Sequence, residues 1–99
     1  MQLKRTKEYK TWIRKLKDRQ AAHKISFHVS RMVNAGQLLG DYKSVGEGVI
    51  EIRFHFGKGY RVYCYEEKGT LLLLLAGGDK STQSQDIKKA QELLKGWKR

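Results

Sequence analysis

Between Arg53 and Tyr65 the sequence crowds two arginines, a histidine, a lysine and three tyrosines around a Gly57-Lys58-Gly59 turn. Those are the side chains that a protein uses to hold and cut a phosphodiester. Arginine grips phosphate through a planar fork of N–H donors. Aromatic rings and guanidinium planes stack on unpaired bases. Cleavage of RNA without a metal needs a base for the ribose 2′-OH, an acid for the leaving 5′-oxygen, and cations on the phosphate in the transition state. Histidine exchanges protons near neutral pH, which makes His55 the candidate base or acid. Arg53 and Arg61 are the candidate stabilisers of developing charge. Taken singly, each of these residues fits an ordinary solvated sheet face; the reading rests on their sharing one.

The periodicity of the chain decides that sharing. From Ile50 the pattern alternates strictly, sending Ile50, Ile52, Phe54 and Phe56 one way and Glu51, Arg53 and His55 the other. After the glycine turn, Tyr60 to Glu66 returns with Val62 and Cys64 on one face and Arg61, Tyr63 and Tyr65 on the opposite one. With the Ile/Phe side in the core, the other side presents Glu51, Arg53, His55, Arg61, Tyr63 and Tyr65 to solvent, and Lys58 sits at the tip. Leu71–Leu75 is a continuous apolar run of the kind a strand buried on both faces carries.

The elements that must hold this hairpin lie on either side of it. Residues 2–5 read as a short strand. Thr6 is the expected N-cap of a helix with Tyr9, Trp12, Ile13 and Leu16 on one face, and its other face is mostly lysine and arginine. After a break near Lys17–Gln20, a second helix carries Ala22, Ile25, Val29, Met32 and Val33 on one side and stops at Gly36. A final helix starts near Ser81, capped by Asp79 or Ser81, with Ile87, Ala90, Leu94 and Trp97 at helical spacing. The order is β-α-α-β-β-β-α, an α+β class fold: a small, mainly antiparallel sheet with a helical pair on one face and a C-terminal helix.

Ninety-nine residues, 39% of them hydrophobic, make one domain spanning 1–99. Twenty-one Lys and Arg against ten Asp and Glu give a net charge of +11, which favours polyanionic partners, nucleic acid before acidic protein or anionic lipid. Much of the excess lies in residues 1–20. The longest apolar run, Leu71 to Ala76, is too short to span a membrane, and no apolar segment follows the basic start. Cys64 is alone, so no internal disulfide is possible; a reducing cytoplasm fits, and the thiol reads as a small buried hydrophobe. His23, His28 and His55 lack the spacing of metal ligands, and neither a metal nor a cofactor is expected. Gly77-Gly78-Asp79-Lys80 ends a strand and opens a helix, where backbone N–H groups suit an anion, but it lacks the spacing of a nucleotide-binding P-loop.

Several motifs resemble one family. Gly48-Val49-Ile50-Glu51-Ile52-Arg53, Gly59-Tyr60-Arg61-Val62-Tyr63 and Leu73-Leu74-Leu75-Ala76-Gly77-Gly78-Asp79-Lys80, with Gln83, Asp86, Ile87 and Ala90 beyond, are similar to the RelE/ParE toxin superfamily, nearest its HigB-like branch of phage-derived addiction-module killer proteins. The resemblance implies a toxin that enters the ribosomal A site, cuts mRNA, and is restrained by an antitoxin encoded beside it. Carried over by motif, it makes Arg61 the phosphate-stabilising arginine, Arg53 a basic catalytic position, and Lys80 a further cation. Asp86 stands near the position where RelE members carry a tyrosine and HigB-like members favour an acid, and His55 matches the HigB-like histidine. With the terminal tyrosine missing, Tyr60, Tyr63 or Tyr65 would stack on the RNA in its place. Lys10, Arg14 and Lys17 of the basic helical segment, with Lys58, would contact ribosomal RNA and the message. Glu51 departs from the family, standing where RelE has a second lysine. The implied partners are the antitoxin, of helix-turn-helix type, the ribosome and mRNA, with operator DNA bound only through the antitoxin complex. Two other readings stay open: a ParE-like toxin that poisons DNA gyrase without nuclease activity, and a non-catalytic nucleic-acid-binding module.

Overall fold

Thr6 and Asp18 start the two N-terminal helices in the computed structural model, which describes residues 1–99. The Thr6 hydroxyl accepts from the Tyr9 N–H at 3.0 Å and donates to the Leu75 carbonyl at 2.6 Å, so one side chain both caps the helix and ties it to the sheet. The Asp18 carboxylate accepts from the Ala21 N–H at 3.0 Å. Between them, Arg19 Nη1 donates to the carbonyls of Ile13, Arg14 and Leu16 at 3.0–3.2 Å, satisfying the orphan acceptors at the end of the first helix.

In chain order the elements are β1 (Gln2–Arg5), α1 (Lys7–Lys15), α2 (Arg19–Ala35), β2 (Asp41–Ser44), β3 (Ile50–Arg53), β4 (Arg61–Glu67), β5 (Leu71–Gly78), a 3₁₀ turn (Lys80–Thr82) and α3 (Gln83–Lys98). Gly36 ends α2 in the left-handed conformation, its N–H reaching the Met32 carbonyl at 2.9 Å. The five strands form one mixed sheet in the order β1-β5-β4-β3-β2, with β1 parallel to β5 and every other pair antiparallel. The α+β class holds, with one strand more than expected. The extra strand, β2, leaves no mark in the hydrophobic pattern, because Asp41–Ser44 is exposed along its whole length and carries no alternation. Polar residues on an edge strand discourage pairing with other chains, and that same polarity hides the strand from a hydrophobic pattern.

Two apolar layers sandwich the sheet. On one face, Tyr9, Ala21, Ile25, Val29 and Met32 from α1 and α2 pack against Ile52, Phe54, Val62, Cys64, Leu72 and Leu74. On the other, Ala90 and Leu94 of α3 pack against Val49, Tyr63, Leu73, Leu75 and Ala76. A bulge between β4 and β5 pairs Tyr63 with Ala76 but Cys64 with Leu74, and so places Leu75 and Ala76 together on the α3 side. Here the structure corrects the expected solvent face of the hairpin. Helix α3 covers it, and Glu51 and Tyr63 are both fully buried. Alternation tells which residues share a face; it does not tell whether a later element covers that face.

A second correction concerns the hairpin tip. Strand β3 stops at Arg53, and Phe54–Tyr60 is a loop closed by the Phe54 N–H to Tyr60 carbonyl bond at 2.9 Å. Gly57 and Gly59 hold φ of 56° and 74° in it, which a side chain would strain. Phe56 packs toward the α2 side and meets the buried Tyr60 in a tilted contact, ring centroids 6.1 Å apart.

Cys64 lies in the interior, and burial pushes its thiol up to about 12. The native protein is therefore expected to resist a thiol reagent at neutral pH and to react promptly once denaturant opens the sheet. Fast labelling of the native state would contradict this packing.

Candidate anion-binding cleft and its buried carboxylate

The register Arg53↔Arg61 sets these two residues opposite each other on neighbouring strands, with Glu51↔Tyr63 the next pair on the same face. Two like charges directly opposed on a sheet repel. The Glu51 carboxylate lies between them. Its Oε1 accepts from Arg53 Nε at 2.9 Å, and its Oε2 accepts from Gln83 Nε2 of α3 at 2.9 Å and faces Arg61 Nε at 3.6 Å. Burial opposes the charge on Glu51, yet the bonds from Arg53 and Gln83 and the Arg61 charge outweigh it and hold the carboxyl below its usual range. The Tyr63 hydroxyl is buried beside the same carboxylate without a well-aligned hydrogen bond. Burial first, and then the Glu51 charge, keep that phenol neutral far above its ordinary value.

Above this layer is a cleft of about 220 Å³ lined by Arg53, Phe54, His55, Gly57, Gly59, Arg61 and Lys80. Arg61 is held tightly, its side chain 11% exposed and its Nη1 donating to the Gly59 carbonyl at 2.9 Å. Arg53 is more open at 29%. The Lys80 stem runs across Gly59, where any Cβ would meet its Cε at 2.8 Å, so the loop glycine lets the lysine approach. His55 is 70% exposed and pairs through Nε2 with the Asp41 carboxylate of β2 at 2.6 Å. The loop, not a strand, aims it. A neighbouring cleft of about 450 Å³ shares Gly57 and is lined by Lys15, Leu16, Lys17, Asp18, Lys58, Tyr60 and Asp79, extending the basic surface toward α1.

Arg53, His55, Arg61 and Lys80 thus converge on one cleft, and Lys58 and Lys17 border the next. Asp86 does not line either. It sits in the first turn of α3, accepting from the Thr82 hydroxyl at 2.6 Å, packed so closely on Gly78 that no side chain fits there. Tyr63 is sealed beneath Glu51, and Tyr65 is covered by Trp97, their rings 6.0 Å apart, with Lys98 Nζ over its face. Tyr60 is buried against Phe56, so of the three tyrosines expected to offer stacking faces, two are interior and the third is half covered. Lys10 and Arg14 are exposed on α1. The anion expected at Gly77–Lys80 meets an occupant: Asp79 Oδ1 already accepts from the Ser81 N–H at 2.8 Å and the Ser81 hydroxyl at 2.5 Å. No three His, Cys, Asp or Glu side chains gather as a metal site would require, and no helix is long and apolar enough to cross a membrane.

Gln83 and Asp41 were invisible as site residues in the sequence. Both lie far from the hairpin along the chain, and only α3 docking and the β2–β3 register bring them in. The one available signal was Glu51 itself, a carboxylate alternating in phase with two arginines.

Fold and site together define a small basic α+β protein whose opposed arginines, seated on a buried carboxylate, present cationic donors to a cleft. Residues 11–95 match the family described as phage-derived protein Gp49-like (DUF891), and the chain belongs to that family, one of RelE/HigB-like addiction-module toxins. A protein of Haemophilus influenzae described as uncharacterized is 44% identical over 93 residues, covering 94% of this chain and 92% of its own length. No solved structure matches.

Proposed function

We propose that this protein is the toxin of a toxin–antitoxin pair and acts as an endoribonuclease on mRNA at the ribosome. The observation that carries the reading is the convergence of Arg53, Arg61, Lys80 and His55 on one cleft. A phosphodiester seated there meets N–H donors on its non-bridging oxygens. The ribose 2′-OH attacks the adjacent phosphorus, the P–O5′ bond breaks, and the products are a 2′,3′-cyclic phosphate and a free 5′-hydroxyl. His55 is the group at the cleft edge able to move a proton from the 2′-OH to the leaving 5′-oxygen, and its bond to Asp41 orients the ring. Arginines and lysine supply the charge compensation, without a bound metal.

The exposed cations of α1 and the second cleft, Lys10, Arg14, Lys17 and Lys58 among them, suit ribosomal RNA and the flanking message. A +11 surface also suits an acidic antitoxin, which would mask the cleft in the cytoplasm. Operator DNA would then be met only through that complex.

Inducing the chain without its antitoxin is expected to arrest growth and to leave new 5′-hydroxyl ends in translated messages. Those ends should vanish when translation is blocked beforehand. Intact mRNA with altered plasmid supercoiling would replace this reading with gyrase poisoning; intact mRNA and normal growth would leave a binding module.

A further inference from the structure

We propose that Glu51 is a positioning residue, whose buried carboxylate fixes the guanidinium groups of Arg53 and Arg61 so that their remaining N–H groups form a preset fork for one phosphodiester. The inference rests on the nuclease reading above and names what prepares its site. Three observations carry it. Both carboxylate oxygens are engaged, Oε1 by Arg53 and Oε2 by Gln83 with Arg61 alongside. The carboxylate bonds Arg53 through Nε at 2.9 Å and faces the otherwise unpartnered Arg61 Nε at 3.6 Å, a charge contact rather than a hydrogen bond. Arg61 Nη1 donates to the Gly59 carbonyl, and the outer donors of both arginines stay free. Those two arginines line the cleft, and Glu51, with no exposed surface, does not.

The alternatives predict different kinetics. As a plain charge neutraliser, Glu51 opposes anion binding, and its removal strengthens RNA affinity while leaving turnover intact. As a proton acceptor, it would have to give up arginine contacts and reach a cleft from which it is walled off; its removal would erase the acid limb of the pH–rate profile. As a positioner, it lowers the reorganisation that the two guanidinium groups need when charge develops, so its loss falls on kcat.

The decisive variant is Glu51→Gln, which keeps shape and removes charge. On a short single-stranded RNA, or on a translated message if cleavage needs the ribosome, kcat is expected to fall by about 10²-fold, with KM unchanged or lower and the pH profile keeping its shape. A wild-type kcat, or a lost acid limb, overturns the proposal. Because the variant could fail to fold, a second measurement uses the wild-type chain: NMR of the arginine Nε–H groups. Arg53 and Arg61 are expected to give separate, slowly exchanging signals that shift on titration with inorganic phosphate. Averaged, fast-exchanging signals from both overturn it. If the wild-type protein cleaves no RNA, the nuclease reading fails, while the NMR result still decides whether Glu51 holds the fork.

Discussion

Arg61→Ala is expected to cut mRNA cleavage by about 10²–10³-fold, the usual cost of removing one donor from a preorganised oxyanion site. Arg61 is the less exposed of the two cleft arginines, held by the Gly59 carbonyl on one side and facing the Glu51 carboxylate at 3.6 Å on the other. Its loss acts twice. The phosphate loses a donor, and Glu51 loses part of the compensation for its burial. Breaking a buried ion pair costs about 3–5 kcal/mol when it leaves a lone charge; Glu51 keeps Arg53 and Gln83, so the stability loss should be smaller. Arg61→Lys separates the two effects. It keeps the positive charge against Glu51 but loses the planar fork, so it should melt closer to wild type than Arg61→Ala while cleavage stays severely reduced. Kinetics of cleavage paired with thermal melts check this. Wild-type turnover in a folded Arg61→Ala would take Arg61 out of the chemistry.

The same geometry explains why the hairpin was only half legible in the sequence. Leu71–Leu75 announced a strand buried on both faces, and the sheet has α1 and α2 on one side of it and α3 on the other. Thr6 and Gly36 announced helix ends because capping and left-handed turns are local chemistry, written in single residues. Tertiary cover is not local. Glu51 and Tyr63 alternate in phase with Arg53 and Arg61, yet the first pair is buried and the second reaches the cleft, because α3 packs over one end of the face and leaves the other open. The alternation through Phe56 predicted a longer strand, but Gly57 and Gly59 at positive φ turn the chain into a loop that brings His55 beside Asp41. An excess positive charge was plain from composition; the carboxylate that organises two of those charges was plain only from the fold.

That dependence on α3 leads to the second large effect, in the strand that both layers share. Leu72 and Leu73 are adjacent in β5, both at most 1% exposed, and point to opposite faces: Leu72 to the α1/α2 layer, Leu73 to the α3 layer. Each truncation to alanine is expected to cost about 2–5 kcal/mol in denaturant unfolding, lost transfer energy plus a cavity that flanking strands cannot close. Their side chains lie in separate layers, but the two residues are adjacent in one strand between β1 and β4. The double cost is therefore expected to depart somewhat from the simple sum. Even so, it approaches the roughly 5–15 kcal/mol that typically holds a domain together, and the double variant is expected to be largely unfolded. A Leu73→Ala cost well under that range would mean that α3 seals the sheet only loosely. The two single variants also differ in what they disturb. Gln83, which holds Glu51, and Asp86 ride on α3, whereas α1 and α2 contribute nothing to the carboxylate. At equal loss of stability, Leu73→Ala should therefore lower cleavage more than Leu72→Ala, since only the former loosens the helix that keeps the arginine fork in place.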